Sequence, residues 1–296
     1  MALIQCEGVV LKTWALGETS RIVAVYTREM GLIKLVAKGA RTTPSRFGFA
    51  LQPLSRSRLV LYHKPDRDLQ LVSQADTLDA WGSELADLDR LAHGQAAVEL
   101  IDRLVWGEEP HEELYQLLVK ALEAVVRAPI PALPAVTLAF ELQVAGLLGY
   151  RPRLDACVMC SGAISPRRLF SPSRGGMLCD ACAARESGAI TLSADALAGL
   201  SLLMTRPVAD AGEYLEVPRA GEIQKVVEAF LRHHFQRFDG LRSLEMLRAF
   251  GESPSGGALQ VAEKPDPIRP ASFGDPPPGK GGASFAPPQG KVPCRA

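Results

Sequence analysis

Residues 21–38 read RIVAVYTREMGLIKLVAK. Two short runs rich in Val, Ile, Leu and Tyr flank a break at Arg28–Gly31, which predicts two strands, Arg21–Thr27 and Leu32–Lys38. Working outward, the same composition recurs at Gln5–Thr13 (QCEGVVLKT), Arg58–His63 (RLVLYH) and Leu69–Ala75 (LQLVSQA). Gly17, Gly31, Gly39 and the Pro65–Asp66 pair punctuate these runs. Five short strands within about eighty residues predict a small barrel or sandwich. The long gap, Gly39–Ser57, carries Arg41, Arg46, Arg56, Gly48 and two prolines.

From Ser83 the apolar period becomes helical, through Leu85, Leu88, Leu91, Ala92, Val98, Ile101 and Val105. Pro110–Ala128 starts with proline and then Glu112 and Glu113, residues that suit a helix N-terminus sterically and electrostatically. Its stripe is Leu114, Leu117, Leu118, Ala121, Leu122 and Val125. Leu133–Leu148 is apolar on most sides, which predicts a central helix ended by Gly149. Further helices are expected at Ser193–Met204, Gly221–Phe238 and Leu241–Phe250. Residues 251–296 hold ten of the 22 prolines and eight of the 26 glycines, a composition that predicts a disordered tail.

The chain has 296 residues, which at about 150 per domain points to two domains. Lys+Arg and Asp+Glu are both 33, so a uniformly basic protein is excluded. The distribution is uneven. Residues 1–80 carry eleven basic against seven acidic side chains; residues 81–150 carry four against eleven. A ligand meets the local field, so the N-terminal part can attract a polyanion and the middle cannot. The longest uncharged run, Ala128–Phe140, falls short of the roughly 20 apolar residues of a spanning helix, and no membrane span is expected. The N-terminus MALIQCEGVV lacks the pattern of a secretory signal, which makes a cytoplasmic location the expectation.

Four of the six cysteines, Cys157, Cys160, Cys179 and Cys182, form C-x2-C-x18-C-x2-C. Each C-x2-C turn offers two thiolates to one side of a metal, and two turns complete a tetrahedron. Zinc is the expected ion; iron shares the spacing, and disulfides belong to secreted proteins. Four thiolates leave no open coordination position, so the metal would be structural. The intervening residues include Gly162, Gly175 and Gly176, enough for a small hairpin. Cys6 reads as core and Cys294 as a tail thiol.

Motifs for phosphate-binding loops, serine nucleophiles and zinc peptidases are absent. His233–His234 reads as surface, and the Glu108–Glu109 and Glu112–Glu113 pairs lie near a helix start, where capping and the helix dipole explain them. The balance favours a binding protein over an enzyme. Between Arg28 and Arg67, nine basic residues face two acidic ones, with Phe47, Phe49 and Tyr62 among them. Small barrels hold single strands with such a mixture of cations and rings, though a merely solvated basic face has the same composition. Lys34 and Lys38 share a face with Val36 if the strand is regular, and Arg41 and Arg46 on the long loop are expected to project freely.

Glu7–Lys12, Gly17–Glu18, Thr27–Gly31, Ala37-Lys38-Gly39-Ala40-Arg41, Ser45 and Leu51-Gln52-Pro53 together resemble the bacterial recombination mediator family RecO, with the order continuing through helices and the four cysteines over about residues 1–250. The resemblance implies an α+β multidomain chain. It would comprise an N-terminal five-stranded OB-fold barrel over residues 1–80 and an α-helical domain over 81–250, with an inserted four-cysteine zinc module at 156–183. The tail, 251–296, has no part in it. It further implies binding of single- and double-stranded DNA, strand annealing, contacts with RecR and with single-stranded-DNA-binding protein, and RecA loading in the RecFOR pathway, without catalysis. Such a protein would be cytoplasmic and nucleoid-associated. Lys38 and Arg41 match the family pattern and are the expected DNA contacts; Arg21, Lys34 and Arg46 are added on charge and placement. A zinc-containing RNA-binding transcription or translation factor is the alternative for the same barrel.

Overall fold

The computed structural model describes residues 2–42, 45, 47–85, 87–213 and 219–252. Arg46, Cys294 and nearly all of the expected tail lie outside them.

Five strands form the N-terminal part: β1 (Ala2–Leu16), β2 (Ser20–Thr27), β3 (Gly31–Ala37), β4 (Ser55–His63) and β5 (Leu69–Ala80). They close into a barrel in the order β1-β2-β3-β5-β4, antiparallel except for β3 against β5. This is the five-stranded OB-like arrangement. Alternation sorts the side chains. Val23, Val25, Ile33, Leu35, Leu59 and Leu61 fill the barrel with Cys6, Val10, Phe47 and Val72. A bulge between Val10 and Lys12 re-aims β1. Val9 and Leu11 of β1, with Ala24 and Tyr26 of β2, turn outward into the helical core. One wall of the barrel is therefore the seam between the two parts.

The helical part comprises α1 (Trp81–Glu84), α2 (Leu88–Leu104), α3 (Glu112–Arg127) and α4 (Leu133–Leu147). After an insert of three short strands, β6 (Leu169–Ser171), β7 (Gly176–Leu178) and β8 (Ile190–Thr191), with one turn of helix, α5 (Asp180–Ala183), come α6 (Ala194–Thr205), α7 (Ala220–His234) and α8 (Arg242–Glu252). The stripe expected on α3 is buried in full. Its N-terminus is capped by His111, whose ring accepts from the Leu114 N–H, with Pro110 just outside. α4 is packed by α2, α3, α6 and α7, as its all-round apolar sequence predicts. With its lead-in turn it spans Ile130–Leu147 at mean hydropathy 1.5, which by length and composition would suffice to cross a membrane. The uncharged run in the sequence ends at Glu141, and the apolar window continues past that single charge. This window is 67% buried within the protein, as befits a core helix.

α2 departs from the expected stripe. Leu88 and Leu91 are exposed, whereas Ala92, His93, Gly94, Ala96 and Ala97 are buried. Small residues win the inner face because close approach leaves no room: a Cβ on Gly94 would lie 2.5 Å from Leu85 Cδ1. The helix expected over Gly221–Phe238 stops at His234, and Phe235 and Phe238 pack from a turn instead. The parts meet again at Gly31, whose φ is +66° and where a Cβ would lie 2.4 Å from the Glu109 carbonyl oxygen. There the Leu32 N–H donates to the Gly107 carbonyl at 3.1 Å.

Candidate metal centre and nucleic-acid interface

The insert between α4 and α6 brings the four cysteines together. In the first turn, the Cys157 N–H donates to the Gly162 carbonyl at 2.9 Å and the Ser161 N–H to the Cys157 carbonyl at 2.8 Å. Val158 ties this turn to the β6–β7 hairpin through the Met177 carbonyl at 2.8 Å. Gly176 is needed here, since a Cβ would lie 2.7 Å from the Arg153 carbonyl oxygen. In the second turn, Cys179 caps α5, its sulfur accepting from the Cys182 N–H at 3.4 Å.

All four sulfurs lie within 4.8 Å of one another, and Cys160 and Cys179 are 3.7 Å apart. A tetrahedral zinc with Zn–S bonds of about 2.3 Å has sulfur–sulfur edges of about 3.8 Å, so the residues fit the ion. Burial of Cys157 opposes its ionisation, but backbone N–H groups of Cys179, Cys160 and Met159 favour the thiolate and bring its pKa down to about 6. Thiolate is the form a metal takes. Around the centre, Asp180 accepts from Ser165 Oγ at 2.7 Å and from Arg167 at 2.9 Å, which holds its carboxyl below the usual range. Arg168 donates to the Leu192 carbonyl and Arg174 pairs with Glu186. Phe170 fastens the module to the helices by an edge contact with Phe230, centroids 6.5 Å apart. Outside this centre, Cys6 is buried and its thiol is pushed up to about 12 by burial. His234 packs among Tyr150 and Phe230, with Nε2 3.0 Å from the Pro172 carbonyl oxygen.

On the barrel, the predicted residues divide. Lys34 and Lys38 are exposed and flank Val36 on the outer face, while Leu35 and Ala37 point inward. Among the described residues neither lysine makes an ion pair or side-chain hydrogen bond. Arg21 pairs in register with Ala37, on the inward side at the barrel mouth, and reaches Gln52 Oε1 at 3.4 Å. Arg41 is exposed but fastened: Nη1 donates to the Gly17 carbonyl at 2.5 Å and its N–H to the Thr19 carbonyl at 3.0 Å. The expectation of a freely projecting Arg41 is corrected, because the turn carbonyls have no strand partner and take the guanidinium. Phe47 is buried in the barrel core, so only Phe49 (75% exposed) and Tyr62 (38%) are open to a ligand. Two of the basic residues are internally compensated, Arg56 by Asp79 at 2.7 Å and Glu7 at 3.4 Å, and Arg28 by Glu112 at 2.6 Å.

Sequence reasoning missed Lys12 and Trp14. Lys12 Nζ sits 4.9 Å from the Trp14 ring centroid and pairs with Asp102 of α2. The sequence pattern ends this strand at Thr13, whereas β1 continues to Leu16 and holds the ring on the sheet. The two-residue spacing of Lys12 and Trp14 was the available signal.

Comparison with known proteins yields consistent matches. Residues 1–81 match the family described as Recombination protein O N terminal, and residues 85–245 the family described as Recombination protein O C terminal. A DNA repair protein RecO of Pelotomaculum thermopropionicum is 34% identical over 264 residues, covering 88% of this chain and 100% of that protein. One from an Anaeromyxobacter species (strain Fw109-5) is 37% identical over 237 residues, 79% of this chain and 92% of its own. One from Streptomyces griseus is 36% identical over 253 residues, 82% and 98%. The relatives' shared name states a repair role and no enzymatic activity.

Proposed function

Because this chain belongs to the RecO family of DNA repair and recombination proteins, we propose that it is a recombination mediator. It binds single- and double-stranded DNA on its barrel, anneals complementary strands, and with RecR helps load RecA onto single strands coated with binding protein. In this reading residues 1–80 are the DNA-binding domain, residues 81–250 the helical platform with its zinc module, and the site of action is the cytoplasmic nucleoid. One observation carries it: the outer face of a closed five-stranded barrel presents two uncompensated lysines, Lys34 in β3 and Lys38 just after it, with β2 between β3 and the strand that carries Trp14. Phosphates are neutralised by such cations with release of counterions, which favours binding without sequence preference. Two strands lowered onto one positive face are screened from each other, which is what annealing requires. Arg41, and Arg21 at the barrel mouth, extend the positive field beyond β3.

Cys157, Cys160, Cys179 and Cys182 would hold one zinc, which supplies a cross-link between two turns whose own core is small.

The test is binding of a labelled single strand, bare and coated with its binding protein, across a salt series, together with annealing of complementary oligonucleotides. Tight binding that weakens as salt rises, with annealing above the spontaneous rate, is the expected result. Preference for RNA of equal length, or no binding at low salt, would refute the reading.

A further inference from the structure

Strand register places one outward row across the whole barrel. Trp14 of β1 faces Ile22 of β2, Ile22 faces Val36 of β3, and Val36 faces Leu71 of β5. Leu71 faces Tyr62 of β4, and Tyr62 faces Leu3 at the start of β1. All six are aromatic or aliphatic. None belongs to or packs against either large hydrophobic core, and their chain neighbours Val23, Leu35, Val72 and Leu61 fill the barrel. Both aromatic members are open to solvent, Trp14 at 36% and Tyr62 at 38%, as is Leu3 at 62%. Five interstrand steps of about 4.8 Å make a track of about 24 Å.

Polar residues are the rule on the solvated side of a sheet, so an uncovered apolar row marks a contact surface. Charge decides what covers it. Lys34 and Lys38 sit two residues either side of Val36, whereas Lys12, two residues before Trp14, is already paired with Asp102 of α2. An apolar track edged by lysines matches a strand of unpaired nucleotides, whose bases offer π-faces and whose phosphates run alongside. Duplex DNA hides those faces in its stack and can use only the lysines.

We propose that this row is a base-stacking track, with Trp14 and Tyr62 as its two ring platforms, and that it makes the barrel discriminate single strands from duplex. The inference rests on the DNA-binding reading above and adds to it the form of DNA that this face selects.

The experiment uses the full chain. The three tryptophans are Trp14, Trp81 and Trp106, of which Trp81 is buried and Trp106 is 71% exposed. In a Trp106→Phe background, titration with an oligo-dT strand should quench tryptophan emission, and adding Trp14→Phe should abolish the quench. Trp14→Ala combined with Tyr62→Ala should weaken oligo-dT binding by about thirtyfold or more, since both ring platforms for stacked bases are lost. Duplex affinity should change less than twofold, and the salt slope should stay as in the parent. Tyr62→Phe should retain binding, and thermal melting checks that every variant is folded. Equal losses on both DNA forms, or an unchanged oligo-dT affinity in the folded double variant, would overturn the track, and the second result would leave the row to a protein partner. If the parent chain binds no DNA at all, the functional reading itself fails; if it binds and only the discrimination is missing, this inference alone does.

Discussion

Arg41 donates from Nη1 to the Gly17 carbonyl at 2.5 Å, which fastens the loop after β3 to the turn between β1 and β2. One of the five guanidinium N–H groups is committed to the fold, and the others remain for phosphate. Arg41 and Lys38 therefore differ in kind, although the sequence puts them three residues apart.

Replacing Lys38 by Ala should flatten the log–log salt slope on single strands by about 0.7, the share of one phosphate contact, with melting unchanged. Arg41→Ala should do the same and in addition speed amide exchange in Gly17–Ser20. The double variant should flatten the slope by about 1 to 1.5 on every sequence alike and slow annealing with it. A folded double variant with the parental slope would move the phosphate site elsewhere.

One zinc per chain should be found by elemental analysis of protein purified without added metal. Cys160→Ser should lower both metal content and melting temperature, because the turns lose their cross-link. The helices should persist in circular dichroism, since Phe170 and Met177 anchor in the main core and not at the metal. Iron in place of zinc would overturn the assignment.

Glu141 on α4 is buried with no hydrogen-bond partner among the described residues, and burial, then the nearby Glu228, raises its pKa to about 8, against the lowering effect of Arg248. His93 is also buried, 2.6 Å from Thr137 Oγ1, and burial lowers its pKa to about 4 despite Asp89. Glu141 binds a proton in the folded state that the unfolded chain releases, so its contribution is present below about pH 4.5 and lost as pH rises to about 8. His93 has the opposite sign, its contribution rising between about pH 4 and 6.5. The two oppose each other in mild acid, and Glu141 acts alone above about pH 6.5. Glu141→Gln should remove a loss of up to about 1.4 kcal/mol per pH unit there. Urea unfolding at pH 6.5 and 8 checks it; equal shifts at both would contradict the assignment.

Glu99 of α2 caps α8 from 143 residues away, its carboxylate accepting from the N–H groups of Arg242 and Ser243 and from Ser243 Oγ while Arg103 pairs with it. Glu99→Ala should destabilise the chain by about 1–3 kcal/mol, because charged hydrogen bonds and a cap are lost together. Limited proteolysis should then cut first near α8.

Ending the chain after Glu252 should leave folding and DNA affinity intact, because the composition of 253–296 cannot form a core of its own. A large loss of affinity would make the tail a binding segment.

The sequence by itself determined the strands of the barrel, the buried stripe of α3, the central place of α4 and the four-cysteine set. Each is a local pattern: a period of two or 3.6 residues, or a fixed spacing of ligands, recurs within one element and needs no partner to be recognised. Only the tertiary structure decided the inner face of α2, where close approach to Leu85 selects small residues over leucines. It also decided which charges are free, since Arg56 meets Asp79, Arg28 meets Glu112, and Arg41 meets the Gly17 carbonyl across spans that no periodicity links. The row from Trp14 to Leu3 is the extreme case. Its six residues lie on five strands and become neighbours only through register, because barrel closure converts alternation along each strand into one continuous line across all of them.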